Sequence, residues 1–264
     1  MNYGGNSVNI LSDGTLMVDG GYAFGQVPRT EWETQIKPDR RNRVRFAMNS
    51  MVIKTPNANI LVDTGAGSKR TDQLKESHHI NGNKLIRNLK EVGLNARDID
   101  IVVLTHLHFD HSGGCTKLNR SGDAVPIYPK ARHIVQEKCW IEAVSPNERF
   151  QTIFHQDDFM PLEEKGLIEL VDGDSEIAPG VTLKVADGPS KGHQMVLVDM
   201  GSERIVFASD LIPTSHHLQA NFIAAADEFP NETLVQKKEL IDMAMREGWI
   251  IVFGHGQEHR SGYV

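Results

Sequence analysis

The sequence predicts an α/β chain in which two β-sheets pack against each other and helices cover their outer faces. Three observations carry that expectation. Strand-like and helix-like segments succeed one another along the whole chain, in the order strands, helix, strand, helices, strands, helix, strand. Residues 101–104 are wholly apolar, which fits a short buried strand. No low-complexity tract or charge block marks a linker, so all 264 residues read as one domain.

The elements follow in order. Residues 8–11 and 15–18 flank Asp13-Gly14, which predicts a hairpin closed by an Asp-Gly turn. Residues 20–43 place Gly20, Gly21, Gly25, Pro28 and Pro38 around the apolar anchors Phe24, Val27 and Trp32. This predicts a long loop that serves as a lid, a pocket wall or a dimer contact, or simply lies pinned on the surface. Strands are expected at 44–55 and 59–62, the second ending in Asp63-Thr64-Gly65. A helix is expected over 83–92, stopped by Gly93. Strand 101–104 feeds into Thr105-His106. Beyond it come a strand at 126–128, helices at 131–140 and 148–158, strands at 166–170 and 181–185, and a hairpin over 195–207 turning at Gly201-Ser202. The clearest helix spans 231–246, with Leu234, Leu240, Ile241 and Met245 on one face. A last strand, 249–253, ends in Gly254-His255-Gly256.

Composition narrows the function. With 35 acidic against 28 basic residues the net charge is -7, which disfavours nucleic acid as a partner. No apolar run approaches membrane-spanning length, and the first residues carry no basic, apolar leader, so a cytoplasmic enzyme is the expectation. The two cysteines, Cys115 and Cys139, read as reduced thiols. The 12 histidines are unusual in placement, several standing beside Asp or Gly.

The chemistry concentrates in Thr105-His106-Leu107-His108-Phe109-Asp110-His111-Ser112-Gly113-Gly114. His106 and His108 point the same way in extended backbone. Asp110 and His111 follow where the chain turns toward a helix. Four metal-capable side chains so close together crowd a single tetrahedral ion and suit two adjacent ions that borrow further ligands. Such ligands stand at other strand ends: His193 before the strand from 195, Asp210 after the strand ending at 207, and His255 after the last strand. Taken alone, each has a bland reading: a lone His between glycines is more often a loop residue than a ligand, and a lone Asp after a strand is often a cap or turn. No Gly-x-Ser-x-Gly elbow is present, which weakens a serine-hydrolase reading.

His106-x-His108-x-Asp110-His111, followed by His193, Asp210 and His255, resembles the metal-binding signature of the metallo-beta-lactamase superfamily. Within it, Leu11-Ser12-Asp13-Gly14, Phe24-Gly25-x-Val27-Pro28, the stretch from Gly188 to Met195, Asp210-Leu211-Ile212-Pro213-Thr214 and Glu247-Gly248-Trp249 resemble the quorum-quenching lactonase branch, to which methyl parathion hydrolase is also similar. The resemblance implies a four-layer αββα sandwich. It also implies that His106, His108 and His193 hold one metal, that Asp110, His111 and His255 hold a second, and that Asp210 bridges them. Zinc is the implied ion, with iron, manganese or cobalt as alternatives. Asp63 is implied to orient a ligand histidine, with capping of the Thr64-Gly65 turn as the alternative, and Thr105 either supports the loop through its hydroxyl or simply ends the strand.

The implied activity is hydrolysis of a small ester or lactone by metal-activated hydroxide, N-acyl-homoserine lactones first, with Asp110 as the proton-handling catalytic group. Phosphotriester, phosphodiester or thioester hydrolysis is the alternative within enzymes, and a metal-dependent binding or sensor protein the alternative outside them. A homodimer is expected through residues 20–43. Phe24, Val27, Trp32, Met48, Phe109, Trp140, Ile212, His216, His217 and Phe222 are the candidate pocket wall, about half of them expected to be core. Two departures stand out. Lys191 occupies a place where a small residue is usual, and Gly256 one where an acid is frequent. The chain also runs only a short way past His255, so that ligand is expected to be weakly buttressed.

Overall fold

The computed structural model describes residues 2–3, 5–201 and 203–264. Met1, Gly4 and Ser202 lie outside the described residues, and with them part of the expected 201–202 turn.

The first sheet begins with β1 (Asn2–Tyr3), β2 (Asn6–Asp19), β3 (Arg43–Lys54), β4 (Asn59–Val62) and β5 (Ile101–Val103). A separate hairpin of β6 (Thr116–Leu118) and β7 (Ala124–Pro126) follows, and β8 (Arg132–Gln136) and β9 (Ile168–Val171) complete the sheet. The second sheet takes β10 (Ser175–Ala178), β11 (Val181–Val185), β12 (Gln194–Asp199), β13 (Arg204–Ser209), β14 (Ile250–Phe253) and β15 (Ser261–Gly262). Both sheets are mixed. β4, β5, β8 and β9 run parallel, as do β13 and β14, while the hairpin-linked neighbours run antiparallel. The helices are α1 (Gly20–Phe24), α2 (Arg29–Trp32), α3 (Thr71–His78), α4 (Leu85–Glu91), α5 (Phe109–Ser112), α6 (Glu137–Val144), α7 (Met160–Glu163) and α8 (Pro230–Glu247).

Alternation along the strands builds the layers. Ile101 and Val103 of β5, with Val62 and Ile134, meet Leu183, Val196, Phe207 and Val252 in a core between the sheets. Val102, one residue out of phase, faces Leu85, Leu89, Cys139 and Leu162 of the covering helices. On the far side Val206 and Ile251 face Leu240 and Ala244 of α8. A wholly apolar strand is therefore stable because both its faces are covered. The result is the expected αββα layering.

Several local expectations change. Asp13-Gly14 is not a hairpin turn: β2 runs straight through it, and the register slips by one between Ser12 and Gly14. This β-bulge turns Asp13 out of the ladder, where its carboxylate accepts from the backbone N–H groups of Gly67, Lys84 and Leu85 at 3.1, 2.9 and 3.1 Å. Gly14 must stay glycine, because its φ is +139° and a Cβ there would lie 1.8 Å from Asn81 O.

Residues 131–140 are not one helix but β8 followed by α6, since parallel pairing to β5 and β9 satisfies the backbone of 132–136. Residues 148–158 form turns that end in a single 3-10 turn, Gln156–Asp158, rather than one α-helix. There Ile153 O accepts from Phe109 N at 3.0 Å, so this carbonyl serves the neighbouring loop instead of a helical ladder. The strand expected at 126–128 ends at Pro126, and α3 was not anticipated. On α8 the buried face is Thr233, Lys237, Leu240 and Ala244, while Met245 is exposed. Residues 20–43 hold two short helices. Phe24, Val27 and Trp32 are buried within the chain's own core, and Tyr22 is the large apolar-bodied side chain of this segment that stays exposed.

Candidate metal centre

Strand direction brings the expected ligands to one edge. β4 ends into Asp63, β5 into Thr105-His106, β13 into Asp210, and β14 into His255. β12 is antiparallel to β13, so it presents its start at that edge, and His193 immediately precedes it. Between them α5 carries Asp110 and His111.

The ligand atoms gather in two triplets, His106–His111–Asp210 and Asp110–His111–His255, each with its atoms within 4.8 Å of one another. Asp210 Oδ1 lies 3.0 Å from His255 Nε2 and 3.3 Å from His111 Nε2, and its Oδ2 lies 3.6 Å from His106 Nε2. Asp110 Oδ2 is 3.9 Å from His111 Nε2 and 3.8 Å from His255 Nε2. The His108 and His193 rings stand 4.2 and 5.3 Å from that of His106, and His193 Nε2 accepts from Asp210 N at 3.2 Å. All seven expected residues thus surround one small volume. The tightest groups are not the implied sets, because His111 takes part in both triplets and His108 and His193 stand at the margin.

The outer nitrogens fix the tautomers. His111 Nδ1 donates to Asp63 Oδ2 at 2.8 Å, His255 Nδ1 to Ala47 O at 2.7 Å, and His193 Nδ1 to Ala186 O at 3.1 Å. Each ring therefore turns its Nε2 inward. His111 Nε2 and His255 Nε2 face each other at 3.1 Å beside the Asp210 carboxylate, and buried His106 Nε2 has no hydrogen-bond partner among the described residues. Ring nitrogens converging on a carboxylate, one of them orphaned, are an arrangement that positive charge between them relieves, protons in the absence of metal and a metal ion when one binds.

The electrostatics agree. Burial works against a charged His111, yet Asp210, Asp110 and Asp63 outweigh it and hold the ring well above the ordinary histidine range. Burial would raise Asp210, but His111, His255 and His106 hold it well below the carboxylate range. His108 and His193 are pushed down to about 4, chiefly by burial, so both are neutral donors at pH 7. A set of imidazole nitrogens and carboxylate oxygens that attracts positive charge fits a dinuclear divalent centre.

The supporting residues are legible in the geometry. Asp63, at φ +56°, also accepts from Thr105 N at 2.9 Å and Thr105 Oγ1 at 2.8 Å. Thr105 Oγ1 in turn meets Ser209 Oγ at 2.8 Å, tying the ends of β4, β5 and β13 together. His255 is firmly buttressed, not weakly held as expected. Asn49 Nδ2 donates to Phe253 O at 2.9 Å and Gly256 O at 2.7 Å, and His255 N donates to Pro213 O at 2.8 Å. Asn49 carried no sequence signal. A Cβ at Gly256 would sit 2.1 Å from His259 O, which explains glycine at that position. Lys191 pairs with Glu228 at 2.8 Å and Glu142 at 3.4 Å, so its charge is spent in an ion cluster.

A cavity of about 670 Å³ opens over the centre, lined by His108, Asp110, Asp210 and His255 and walled by Leu16, Val18, Tyr22, Phe46 and Phe109. Of the expected wall only Phe109 lines it, and Phe24, Trp32, Met48, Trp140, Ile212 and Phe222 are core. The missed residues come from β2, α1 and β3, whose alternation was visible but whose outward face could not be assigned before the sheets were placed.

His217 is also core. It stacks on Phe24 at 5.1 Å, takes Thr214 Oγ1 on Nδ1 at 2.8 Å, and donates from Nε2 to Ala23 O at 2.9 Å, thereby fixing α1. Burial pushes its pKa from 6.5 down to about 3. An unfolded histidine binds its proton near 6.5, so this contribution is full above pH 6.5 and is lost as pH falls toward 3. Urea midpoints of metal-free protein measured across that window should fall less steeply in His217→Gln than in the wild type. Equal slopes would remove His217 from the acid response.

Two packed sheets with a buried histidine and aspartate cluster at one edge define a metal-dependent hydrolase of the αββα type. The chain belongs to the metallo-beta-lactamase superfamily, which matches residues 44–255. An N-acyl homoserine lactonase of Bacillus cereus is 27% identical over 234 residues, 80% of this chain and 82% of the relative. Among solved structures, a probable metal-dependent hydrolase from Staphylococcus aureus superposes with TM-score 0.92 at 27% identity, covering 99% of this chain and 93% of the other. AidC, a dizinc quorum-quenching lactonase in complex with a product, N-hexanoyl-L-homoserine, superposes with TM-score 0.83 at 18% identity, covering 100% and 92%, and shows the shared fold. No helix among the described residues is long and apolar enough to cross a membrane.

Proposed function

We propose that the protein opens the lactone ring of N-acyl-homoserine lactones or similar small lactones on a dinuclear metal centre. The observation that carries the metal chemistry is the inward-facing set of His111, His255 and His106 nitrogens around Asp210. Lactones are selected by the relatives named above. His106, His108 and His193 would hold one ion, Asp110, His111 and His255 the other, and Asp210 would stand between. When bound, two such ions lower the pKa of water toward neutrality and draw electron density from a substrate carbonyl.

The chain's own residues do the rest. Asp110, at the rim of both the cluster and the cavity, orients the attacking water and carries a proton to the leaving oxygen. A tethered alkoxide is a poor leaving group, so that proton matters. Leu16, Val18, Phe46 and Phe109 exclude water and receive an apolar acyl group. The unbridged, buried thiols of Cys115 and Cys139 support a reducing, cytoplasmic setting.

The test is a panel on metal-loaded protein, with metal content measured alongside. We expect close to two ions per chain. We also expect the highest kcat/KM among homoserine lactones, ahead of unsubstituted lactones, an aryl phosphotriester, a bis-aryl phosphodiester, a glutathione thioester and a beta-lactam. A phosphotriester or thioester exceeding every lactone transfers the assignment to that class. A reproducible single ion under excess zinc or manganese rejects the dinuclear centre.

A further inference from the structure

Asp227 is a buried carboxylate that none of the chemistry above uses. The residue is only 6% exposed. Oδ2 accepts from Thr233 Oγ1 at 2.5 Å, and the residue borders the cavity over the metal centre, with no hydrogen bond among the described residues taking Oδ1. A carboxyl held this deep loses much of its hydration, and a ligand donor that meets Oδ1 from the cavity restores it.

Its position says which part of a ligand it meets. Asp227 and Ala224 line the cavity over the metal centre and also a neighbouring cavity of about 800 Å³ walled in part by Val27, Pro28, Ile223 and Leu234. A substrate whose reacting ring lies over the centre and whose tail leaves toward that second space passes the Asp227 carboxyl at the join. In an N-acyl-homoserine lactone the group at the join between ring and tail is a secondary amide.

The placement is rigid. Asp227 N donates to Ala224 O at 3.2 Å, Glu228 N to Pro189 O at 3.0 Å, and Phe229 N to Gly188 O at 2.9 Å, which fastens the segment to the loop that leads into His193. Ala225 N donates to Tyr22 O at 2.8 Å, so the Tyr22 phenol belongs to the same wall. A wall offering one acceptor, Asp227 Oδ1, and one donor, Tyr22 Oη, complements an amide, which has one N–H and one carbonyl. The environment of Asp227 agrees: burial and the nearby Asp210 charge raise it to about 7, so the carboxyl keeps an acceptor oxygen without holding a full charge.

We infer that Asp227 is a specificity-determining residue that accepts the amide N–H of an N-acyl lactone and thereby separates such lactones from those lacking the amide. This rests on the lactonase reading and adds a named recognition group to it. A purely structural Asp227, helping Thr233 to seat the start of α8, would affect all lactones alike.

The test compares N-octanoyl-homoserine lactone with its analogue in which CH2 replaces the amide NH. Wild-type protein is expected to favour the amide by about tenfold to a hundredfold in kcat/KM, the scale of one hydrogen bond to a charged or partly charged buried group. In Asp227→Asn, Thr233 keeps the carbonyl oxygen and the amide NH2 turns toward the substrate, so donor meets donor. In Asp227→Ala the acceptor is gone. Both variants should bring the ratio toward one, whatever happens to the absolute rates. Calorimetric Kd values for the two ring-opened products should show the same loss of preference. A wild-type ratio near one, or variants that keep the wild-type ratio, overturns the inference while leaving the lactonase reading intact. Loaded wild-type protein that opens neither lactone overturns the lactonase reading, and this inference falls with it.

Discussion

Asp210→Ala is expected to lose both metal ions to dialysis and to lower kcat/KM for a lactone on the order of a thousandfold, the scale of removing a principal electrostatic group from an active site. The expectation follows from its reach. One carboxylate stands at 3.0 Å from His255, 3.3 Å from His111 and 3.6 Å from His106, so its removal touches both triplets at once. It also removes the negative charge that draws a cation between the rings. Elemental analysis and steady-state rates measure the two effects, and circular dichroism confirms that the sheets remain. Asp210→Asn keeps shape and drops charge, and should fall between the two proteins in metal content. An Asp210→Ala protein that retains two ions and near-native turnover would remove this residue from the centre.

Asp158→Ala is expected to destabilise the fold by about 3–5 kcal/mol, the range seen when one partner of a buried ion pair is removed. Lys69 Nζ lies 2.7 Å from Asp158 Oδ1, with the two side chains 1% and 0% exposed, and Arg70 reaches the same oxygen at 2.9 Å. Without the carboxylate, Lys69 stays buried with no counter-charge beside Arg70, which keeps only its ion pair with Asp157. Urea denaturation reads the loss. Replacing Lys69 and Asp158 together by leucine or methionine should cost less, because no lone charge is left buried. The pair also bears on the centre. Lys69 Nζ donates to Gly113 O at 2.6 Å, just past the helix that carries Asp110 and His111. Metal affinity should therefore decline along with stability in Asp158→Ala. A change under 1 kcal/mol would show that this network does not hold the fold.

The chain's sequence by itself marked the strands flanking the cluster and the His106-to-His111 segment, while His193, Asp210 and His255 stood out only at strand ends and by resemblance, and the fold brings all of them to one side. A short apolar run ending in His or Asp is a local pattern, and a strand that must be buried ends where its apolar residues end. It also determined the long helix α8 and the stop at Gly93, since capping and periodicity are local as well. The tertiary structure alone decided the rest. Asp13-Gly14 carries the signature of a turn, but three backbone donors from 67, 84 and 85 converge on Asp13 and make a bulge the better solution. Residues 131–136 have a helix-compatible pattern, and only the parallel neighbours β5 and β9 supply the ladder that makes them a strand. Asn49 holds the His255 loop from more than two hundred residues away, across a contact that exists only once β3 and β14 are side by side. The cavity wall followed the same logic. Phe24 and Trp32 are as apolar as Leu16 and Phe46 and share one cluster with them, and which of them borders the cavity depends on how α1 and α2 lie over β2 and β3, a choice made by packing between distant segments.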